Sequence, residues 1–159
     1  MKHAEQLVAL LLERKWHISF SESCTAGLAV GRLADVAGAS GVLDVSFVTY
    51  ANEAKEKYAG VKAETLAAYG AVSEAVAREM AEGIARESGA EVGVGISGIA
   101  GPGGGTPEKP VGTVCFGFFV GGVLSSATCH FEGLDRTGVR NAAVQYAHRA
   151  LVMLLQGAK

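Results

Sequence analysis

The chain of 159 residues is 49% hydrophobic and 19% charged, proportions typical of one globular domain rather than of a disordered protein. Its net charge of −2, without a clustered run of Lys or Arg, argues against nucleic acid as the main partner, because binding a phosphate backbone needs several cations on one face. The apolar stretches are shorter than the roughly 20 residues that span a bilayer, and no secretory signal is visible, so we expect no membrane partner.

Hydrophobic periodicity predicts alternating helices and strands from the start of the chain. A helix is expected over 4–14, followed by a short strand over 17–20. A second helix is expected over 25–37, with Thr25 as its N-cap, because a threonine oxygen can accept from the first free amides of a helix. Alternating apolar residues then predict a strand over 42–50.

Capping residues mark the next elements. Asn52 is expected to cap a short helix that ends at Gly60, and a further short helix is expected over 63–69. Ser73 followed by Glu74 predicts the start of a longer helix that runs to about residue 88.

The second half of the chain predicts a buried strand, a hairpin and a last helix. The buried strand is expected over 92–96, and two strands over 113–120 and 123–131 are joined by Gly121-Gly122, a two-residue hairpin signal. The last helix is expected over about 136–155, with Asp135 as its cap. These elements predict a three-layer α/β/α sandwich with a mixed, mostly parallel sheet of about five strands including one hairpin, formed by residues 1–159 as a single domain.

The number and spacing of cysteines and histidines indicate the cellular compartment and whether a metal site is expected. Cys24, Cys115 and Cys129 are odd in number and lack the spacing of metal ligands. None of the histidines forms a metal-binding pair along the sequence. We therefore expect a cytoplasmic protein with no metal site, and we assign no cofactor.

The segment Ser21–Gly27 lies between a predicted strand end and a predicted helix start. Ligands of open α/β sheets bind at such strand ends, and a helix N-terminus offers free amides that stabilise a developing oxyanion. Ser23 is therefore a candidate nucleophile, with Cys24 as a rival. The alternative is that Ser23 and Thr25 merely cap the helix.

A second strand end passes into a helix at Tyr50–Lys55. Lys55 is predicted in the first helical turn, where the helix dipole disfavours a cation, and a lysine destabilised as a cation is a better general base. The alternative is a solvated surface lysine, with Glu53 and Glu56 offsetting the dipole.

The segment Ser97–Pro107 is the most glycine-dense part of the chain. Successive glycines allow backbone amides to approach an anion closely, although no Gly-Lys-Ser/Thr follows as in a Walker A loop. The segment Gly93–Gly98 matches G-x-G-x-x-G, but it lies within a predicted strand, so we discard the dinucleotide motif. The alternative is a flexible loop without function.

Positive charge at the start of the last helix offers a candidate phosphate ligand. Asp135 and Arg136 precede Arg140, and an arginine can bind a phosphate through two parallel hydrogen bonds. The alternative is an ordinary charged helix face.

Together these segments resemble the carboxy-terminal domain of the competence/damage-inducible CinA proteins, which also occurs alone as nicotinamide-nucleotide amidase. The resemblance covers nearly the whole chain and rests on four motifs in the same order. The motifs are residues 22–27, residues 47–50 with 52–55, residues 70–73, and residues 96–102 followed by 109–114.

The resemblance implies hydrolysis of nicotinamide mononucleotide to nicotinate mononucleotide and ammonia through a Ser/Lys acyl-enzyme. It maps Ser23 onto the nucleophile and Lys55 onto the base, with Tyr50 assisting proton transfer or orienting the lysine, and amides around Cys24–Ala26 holding the oxyanion. A further set of residues is expected to bind the substrate, with the glycine-rich loop and the arginine holding its phosphate. These residues are Cys24, Thr25, Asn52, Ser97, Gly98, Gly101, Gly104, Gly105, Thr106 and Arg140.

Two departures from the family pattern are visible. Ala26 stands where many relatives carry glycine, which narrows the space behind the nucleophile. Larger family members carry an additional amino-terminal domain related to molybdopterin-binding proteins, and because Met1 leads directly into the first helix we expect this domain to be absent.

Two functional alternatives stay open at the level of sequence. One is a non-catalytic nucleotide-binding regulatory module, which would need neither Ser23 nor Lys55. The other is an amidase for another small amide, because the acyl pocket cannot be read from the sequence. The expected partner is a small nucleotide substrate, and the hairpin over 113–131 at a sheet edge is compatible with a homodimer.

Overall fold

The computed structural model describes residues 2–157, which form six α-helices around a five-stranded sheet. The helices are α1 Lys2–Arg14, α2 Leu28–Ala34, α3 Asn52–Ala59, α4 Ala63–Tyr69, α5 Glu74–Ser88 and α6 Arg136–Gly157. The strands are β1 Ile18–Glu22, β2 Phe47–Val48, β3 Val92–Gly98, β4 Thr113–Val120 and β5 Val123–His130.

The sheet is mixed, with the strand order β2-β1-β3-β4-β5. The strand β1 is parallel to both of its neighbours, whereas β4 is antiparallel to both β3 and β5. Four of the five strands therefore point the same way, and their carboxyl ends meet at one edge of the sheet. This arrangement confirms the predicted α/β class and the hairpin at Gly121-Gly122, where both glycines have positive φ angles of 55° and 90°.

The two faces of the sheet are covered by different helices. Val92, Val94 and Ile96 of β3 point into the main core, which they share with buried residues of α1, α2 and α6. The alternate residues Gly93 and Gly95 face α5, and α3 and α4 pack against the outer side of α5. The three layers follow from the period-2 alternation of strand side chains.

Gly93 and Gly95 of the discarded G-x-G-x-x-G match serve this packing. A Cβ atom at Gly95 would lie 2.3 Å from the carbonyl oxygen of Ala77, and one at Gly117 on β4 would lie 2.0 Å from the same oxygen. The backbone of α5 therefore lies directly on the sheet. A side chain in place of either glycine, on β3 or on β4, would prevent so close an approach. The motif is a close-packing feature of β3 rather than a nucleotide-binding turn.

The main differences from the predicted boundaries concern α2, β2 and the start of α3. The helix α2 begins at Leu28 rather than Thr25, because Ala26 and Gly27 have φ angles of 48° and 93° and so form a turn. The strand β2 has two residues instead of nine. Before Phe47, the Phe20 amide of β1 donates to the side chain of Ser46, with 2.9 Å between N and Oγ, instead of to a backbone carbonyl oxygen of β2. The cap of α3 is Ala51, and Asn52 makes no capping hydrogen bond.

Other predicted caps are confirmed. The Val76 amide donates to Ser73 Oγ at 3.2 Å at the start of α5, and the Gly138 amide donates to Asp135 Oδ1 at 2.7 Å at the start of α6. Gly60 ends α3 with a φ of 67°.

Substitution of Gly117 by alanine tests the contact between α5 and the sheet. The new Cβ atom would overlap backbone atoms of α5 that cannot move independently, so we expect a loss of about 1–3 kcal/mol in the free energy of unfolding, measured by urea denaturation. Gly31→Ala is the matched control, because Gly31 lies inside α2 with nothing within 4 Å of its added Cβ, and alanine there should stabilise the protein by roughly 0.5–1 kcal/mol. Equal stability changes for both variants would contradict the close packing.

Candidate active site

The parallel pairing of β1 and β2 brings two distant loops together. Just beyond the two strands, the Thr49 amide donates to the Glu22 carbonyl oxygen at 2.8 Å, and the hydroxyl groups of Ser21 and Thr49 are 2.8 Å apart. These contacts continue the pairing to the ends of both strands. The next residues, Ser23 on one chain segment and Tyr50 on the other, therefore lie side by side.

The amine of Lys55 lies between these loops. Its Nζ is 3.2 Å from Ser23 Oγ and donates to the carbonyl oxygens of Thr49 and Tyr50, both at 2.9 Å. Lys55 is the fourth residue of α3, and its side chain is only 1% exposed. The structure therefore excludes the alternative of a solvated surface lysine and places the predicted hydroxyl and amine in contact.

Burial changes the protonation of this lysine. Removal from water disfavours the charged form and lowers the pKa of Lys55 from its ordinary value of 10.5. A partial opposing effect comes from the nearby Cys24 thiol, which favours the cation when it is ionised. The lowered pKa increases the fraction of neutral amine near neutral pH, as a general base requires.

The hydrogen bonds also orient the neutral amine. A neutral amine keeps two hydrogen atoms, and the carbonyl oxygens of Thr49 and Tyr50 offer two acceptors for them. In the structure Nζ also donates to Ser23 Oγ at 3.2 Å, and Ser23 Oγ donates to the Tyr50 carbonyl oxygen at 3.4 Å. In a neutral amine that keeps its two hydrogen bonds to the carbonyl oxygens, the position facing Ser23 Oγ is the one left for the lone pair. The arrangement is suited to removing the proton of the serine hydroxyl.

The loop that carries Ser23 is a tight turn with few free amides. The Ser23 amide donates to the Ile96 carbonyl oxygen at 2.9 Å, and the Ala26 amide donates to the Ser23 carbonyl oxygen at 3.0 Å. Ala26 is therefore unavailable as an oxyanion donor, contrary to its inclusion in the predicted group. In residues 2–157, the amides of Cys24 and Thr25 donate to no backbone oxygen, so these two remain as candidates.

Glu22 caps α2 from the preceding strand, a role that the sequence did not reveal. Its carboxylate is 1% exposed and accepts from the amides of Ala29 and Val30 at 2.9 and 3.0 Å. The first amides of the helix are therefore occupied, and they cannot stabilise an oxyanion as the strand-to-helix pattern suggested. No spacing rule would identify this cap, because a tight turn separates Glu22 from the helix.

Cys24 is poorly suited to be the nucleophile. Its side chain is 6% exposed, and burial raises the pKa of its thiol to about 11, with the Glu22 carboxylate contributing a smaller increase. At neutral pH the group is a protonated thiol, and the thiolate is the nucleophilic form. The burial of Cys24 therefore favours Ser23 over its rival.

A cavity of about 290 Å³ opens beside the pair of Ser23 and Lys55. It contains nine of the thirteen predicted site residues: Ser23, Cys24, Tyr50, Asn52, Lys55, Ser97, Gly98, Gly101 and Gly104. Six further lining residues were not among the predicted site residues: Ala71, Val72, Ile99, Ala100, Gly103 and Arg136. Ala71 and Val72 lie within one of the resemblance motifs, so that motif was the available signal for them.

Arg136 is the cationic side chain at the mouth of this cavity. Its guanidinium donates to the Gly101 carbonyl oxygen at 2.7 Å and to the phenol oxygen of Tyr50 at 3.0 Å. The phenol of Tyr50 is thus bonded to Arg136, whereas it is the backbone carbonyl of Tyr50 that orients Lys55. The arginine connects the glycine-rich loop to the loop after β2.

Four predicted residues do not line the cavity. Thr25 is fully buried, and its hydroxyl has no hydrogen-bond partner within residues 2–157. Gly105 packs on Val111, and Thr106 closes a turn in which its hydroxyl accepts from the Lys109 amide at 3.0 Å. Arg140 Nε donates to the Cys24 carbonyl oxygen at 2.9 Å, so it contacts the loop that carries Ser23 directly.

Metal clusters and membrane-spanning helices are both absent from the described part of the chain. Among residues 2–157, no group of three or more His, Cys, Asp or Glu side chains is arranged to hold a metal ion. None of the helices in that range is long and apolar enough to cross a membrane.

Known proteins share both the sequence and the fold. A CinA-like protein from Kosmotoga olearia is 47% identical over 155 residues, which are 95% of this chain and 37% of that protein. A CinA-like protein from Chlorobaculum tepidum is 58% identical over 113 residues, 71% of this chain and 27% of that protein. The chain thus spans only about a third of the length of these relatives.

Solved structures cover the chain almost completely. A competence-damaged protein (CinA) superfamily protein from Klebsiella pneumoniae superposes with a TM-score of 0.94 at 36% identity, over 99% of this chain and 98% of that one. The competence/damage inducible protein CihA from Agrobacterium tumefaciens has a TM-score of 0.93 at 40% identity, over 96% and 93% of the two chains. The model of the CinA C-terminal domain matches residues 1–155, and the chain therefore belongs to the CinA C-terminal domain family.

Proposed function

We propose that this chain is an amidohydrolase that converts nicotinamide mononucleotide to nicotinate mononucleotide and ammonia. The observation that carries the proposal is the contact between Lys55 Nζ and Ser23 Oγ at 3.2 Å, with the other two donor positions of the amine held by backbone carbonyls. A buried lysine held in this way has little structural use, because replacing it by an apolar side chain would remove a desolvation cost.

Acylation would begin with proton transfer from Ser23 Oγ to the neutral amine of Lys55. The oxygen then attacks the carboxamide carbon, and a bond forms between them while the carbonyl electron pair moves onto the carbonyl oxygen. The tetrahedral intermediate collapses as the carbon–nitrogen bond breaks. Lys55 returns its proton to the leaving nitrogen, which departs as ammonia, and the acyl group remains on Ser23.

Deacylation would repeat the same steps with water. Neutral Lys55 takes a proton from a water molecule, whose oxygen attacks the acyl carbon. The bond between that carbon and Ser23 Oγ breaks, and the proton on Lys55 returns to the serine oxygen. The carboxylic acid product then leaves the cavity as its carboxylate.

The lining of the cavity supports a substrate that carries a phosphate. Arg136 lies at its mouth beside Gly103 and Gly104, where exposed backbone and a guanidinium can both approach an anion. The cavity of about 290 Å³ is at the small end of ligand pockets, which are roughly 300–1,000 Å³. A carboxamide ring would fill it beside Ser23, with the sugar phosphate extending towards Arg136.

The same small volume favours one alternative, an amidase that acts on another small amide without a phosphate. A non-catalytic nucleotide-binding module is less well supported, because nucleotide binding does not require the contact between Ser23 and Lys55. Ammonia release from a panel of amides, with and without a phosphate, distinguishes the three functions.

Substitution of the nucleophile tests the acyl-enzyme. Ser23→Ala removes the attacking oxygen, and we expect the kcat for ammonia release from nicotinamide mononucleotide to fall by roughly 10⁴- to 10⁶-fold. Cys24→Ala keeps the backbone amide and removes only a protonated thiol, so it should retain most of the activity. An active Ser23→Ala variant together with an inactive Cys24→Ala variant would assign the nucleophile to Cys24.

The pH dependence tests the role of Lys55 as a base. Because only the neutral amine can accept the serine proton, kcat/KM should fall about tenfold per pH unit below the pKa of Lys55 and level off above it. Burial lowers this pKa, so the plateau should begin below the ordinary lysine value of 10.5. A rate that still rises through pH 10.5, or one that does not depend on pH, would contradict this role.

Substitution of Arg136 tests the phosphate. Arg136→Gln removes the charge at the cavity mouth, and we expect the KM for nicotinamide mononucleotide to rise by roughly 10- to 100-fold, the equivalent of one hydrogen bond to a charged group. The KM for nicotinamide riboside, the same amide without the phosphate, should change far less. Tyr50→Phe is the control for loss of the contact between the phenol and the guanidinium, and a similar KM increase in that variant would argue against direct phosphate binding.

A further inference from the structure

Arg140 holds the nucleophile loop from the side of α6. Its Nε donates to the Cys24 carbonyl oxygen at 2.9 Å, and its Nη2 donates to the Thr25 carbonyl oxygen at 3.3 Å. The side chain is half-buried and does not line the cavity, whereas Arg136, one turn earlier on the same helix, does. The two arginines of α6 therefore have different surroundings.

Arg140 contacts two peptide groups, and they differ in whether their amide N–H already donates a hydrogen bond. The carbonyl of Thr25 belongs to the peptide group whose amide is that of Ala26, and this amide already donates to the Ser23 carbonyl oxygen. The carbonyl of Cys24 belongs to the peptide group whose amide is that of Thr25, and this amide donates to no backbone oxygen in residues 2–157. Only the Cys24–Thr25 peptide group thus offers a free donor.

The geometry of a trans peptide fixes the direction of that donor. The amide N–H and the carbonyl of one trans peptide group point in opposite directions, and the Cys24–Thr25 bond is trans. With the carbonyl oxygen held on Arg140, the Thr25 N–H points away from the guanidinium. Cys24 lines the cavity next to Ser23, so the Cys24–Thr25 peptide group begins at a residue of the cavity wall, and Arg140 contacts the carbonyl oxygen of that group.

The charge of the arginine also strengthens the donor. A guanidinium is always protonated in proteins, and a charged donor on a carbonyl oxygen draws electron density through the peptide group. Hydrogen bonds linked in this way polarise one another, so the amide at the other end becomes a better donor.

We propose that Arg140 is a positioning residue that orients and polarises the Thr25 amide as an oxyanion donor of the site. The proposal rests on the acyl-transfer function proposed above and replaces the role of phosphate ligand that the sequence suggested for this arginine. The interaction strengthens only when negative charge develops on the carbonyl oxygen of the substrate. Loss of Arg140 should therefore lower kcat and leave KM nearly unchanged.

The first measurement compares kcat and KM for nicotinamide mononucleotide and for nicotinamide riboside, the same amide without the phosphate. Arg140→Gln should lower kcat by roughly 10- to 100-fold for both, less than the 10²–10³-fold effect of removing an oxyanion donor outright. Arg140→Lys keeps the positive charge and should recover part of the loss. Arg32→Gln is the matched control, because Arg32 joins α2 to α6 through Asn141 Oδ1 at 2.9 Å and, within residues 2–157, makes no hydrogen bond to residues 23–25.

The second measurement does not depend on the identity of the substrate. A fluorophosphonate reacts as Ser23 Oγ bonds to phosphorus, fluoride leaves, and the serine proton passes to Lys55, while the phosphoryl oxygen occupies the oxyanion position. The rate of this labelling, followed by intact mass, should fall in Arg140→Gln and stay at the wild-type value in Arg32→Gln. Thermal unfolding of both variants shows whether each is folded at the assay temperature.

The outcomes separate this proposal from the proposed function. Wild-type labelling at Ser23 without ammonia release from nicotinamide mononucleotide would refute the proposed substrate, and the labelling rates would still decide the role of Arg140. A folded Arg140→Gln variant that labels at the wild-type rate, with a raised KM for the phosphorylated amide alone, would overturn the positioning role. Absence of labelling at Ser23 in the wild type would overturn both proposals.

Discussion

The buried amine of Lys55 is the constraint on which the rest of the site depends. An ammonium group removed from water must be surrounded by acceptors or lose its proton. Both effects are present at Lys55. The carbonyl oxygens of Thr49 and Tyr50 and the hydroxyl of Ser23 surround its nitrogen within 3.2 Å, while burial lowers its pKa. The same desolvation that costs folding free energy thus prepares the amine to accept a proton.

The three oxygens around Lys55 Nζ come from two loops, one after β1 and one after β2. The two loops must therefore be held at a fixed distance from each other, and the short strand β2 holds them there. The strand β2 has two residues, yet the hydrogen bond from the Thr49 amide to the Glu22 carbonyl extends its pairing with β1 to the loop. A slip of one residue in this register would turn the side chains to the opposite face and move Tyr50 away from Ser23. The geometry of the Ser23 and Lys55 site is therefore a property of the sheet edge rather than of either loop alone.

Opposite charges stabilise the loop that carries Ser23 at its two ends. The Glu22 carboxylate holds the first amides of α2, and the Arg140 guanidinium holds the carbonyl oxygens of Cys24 and Thr25. The carboxylate accepts hydrogen bonds from backbone amides, and the guanidinium donates hydrogen bonds to backbone carbonyl oxygens. Both groups therefore restrain the turn, and neither lines the cavity. Behind the sheet, the close contact between α5 and Gly95 keeps β3 in place beside the same loop.

The sequence by itself determined the elements, the hairpin and the two loops that carry Ser23 and Lys55, because apolar periodicity, caps and glycines act over a few residues. It did not determine the cap of α2 or the roles of the two arginines on α6. Arg136 and Arg140 are one helical turn apart and have the same chemistry, so local pattern cannot distinguish them. Only the tertiary structure decides that Arg136 contacts the cavity and Arg140 the loop, since this depends on how α6 lies against residues 35 to 116 positions earlier.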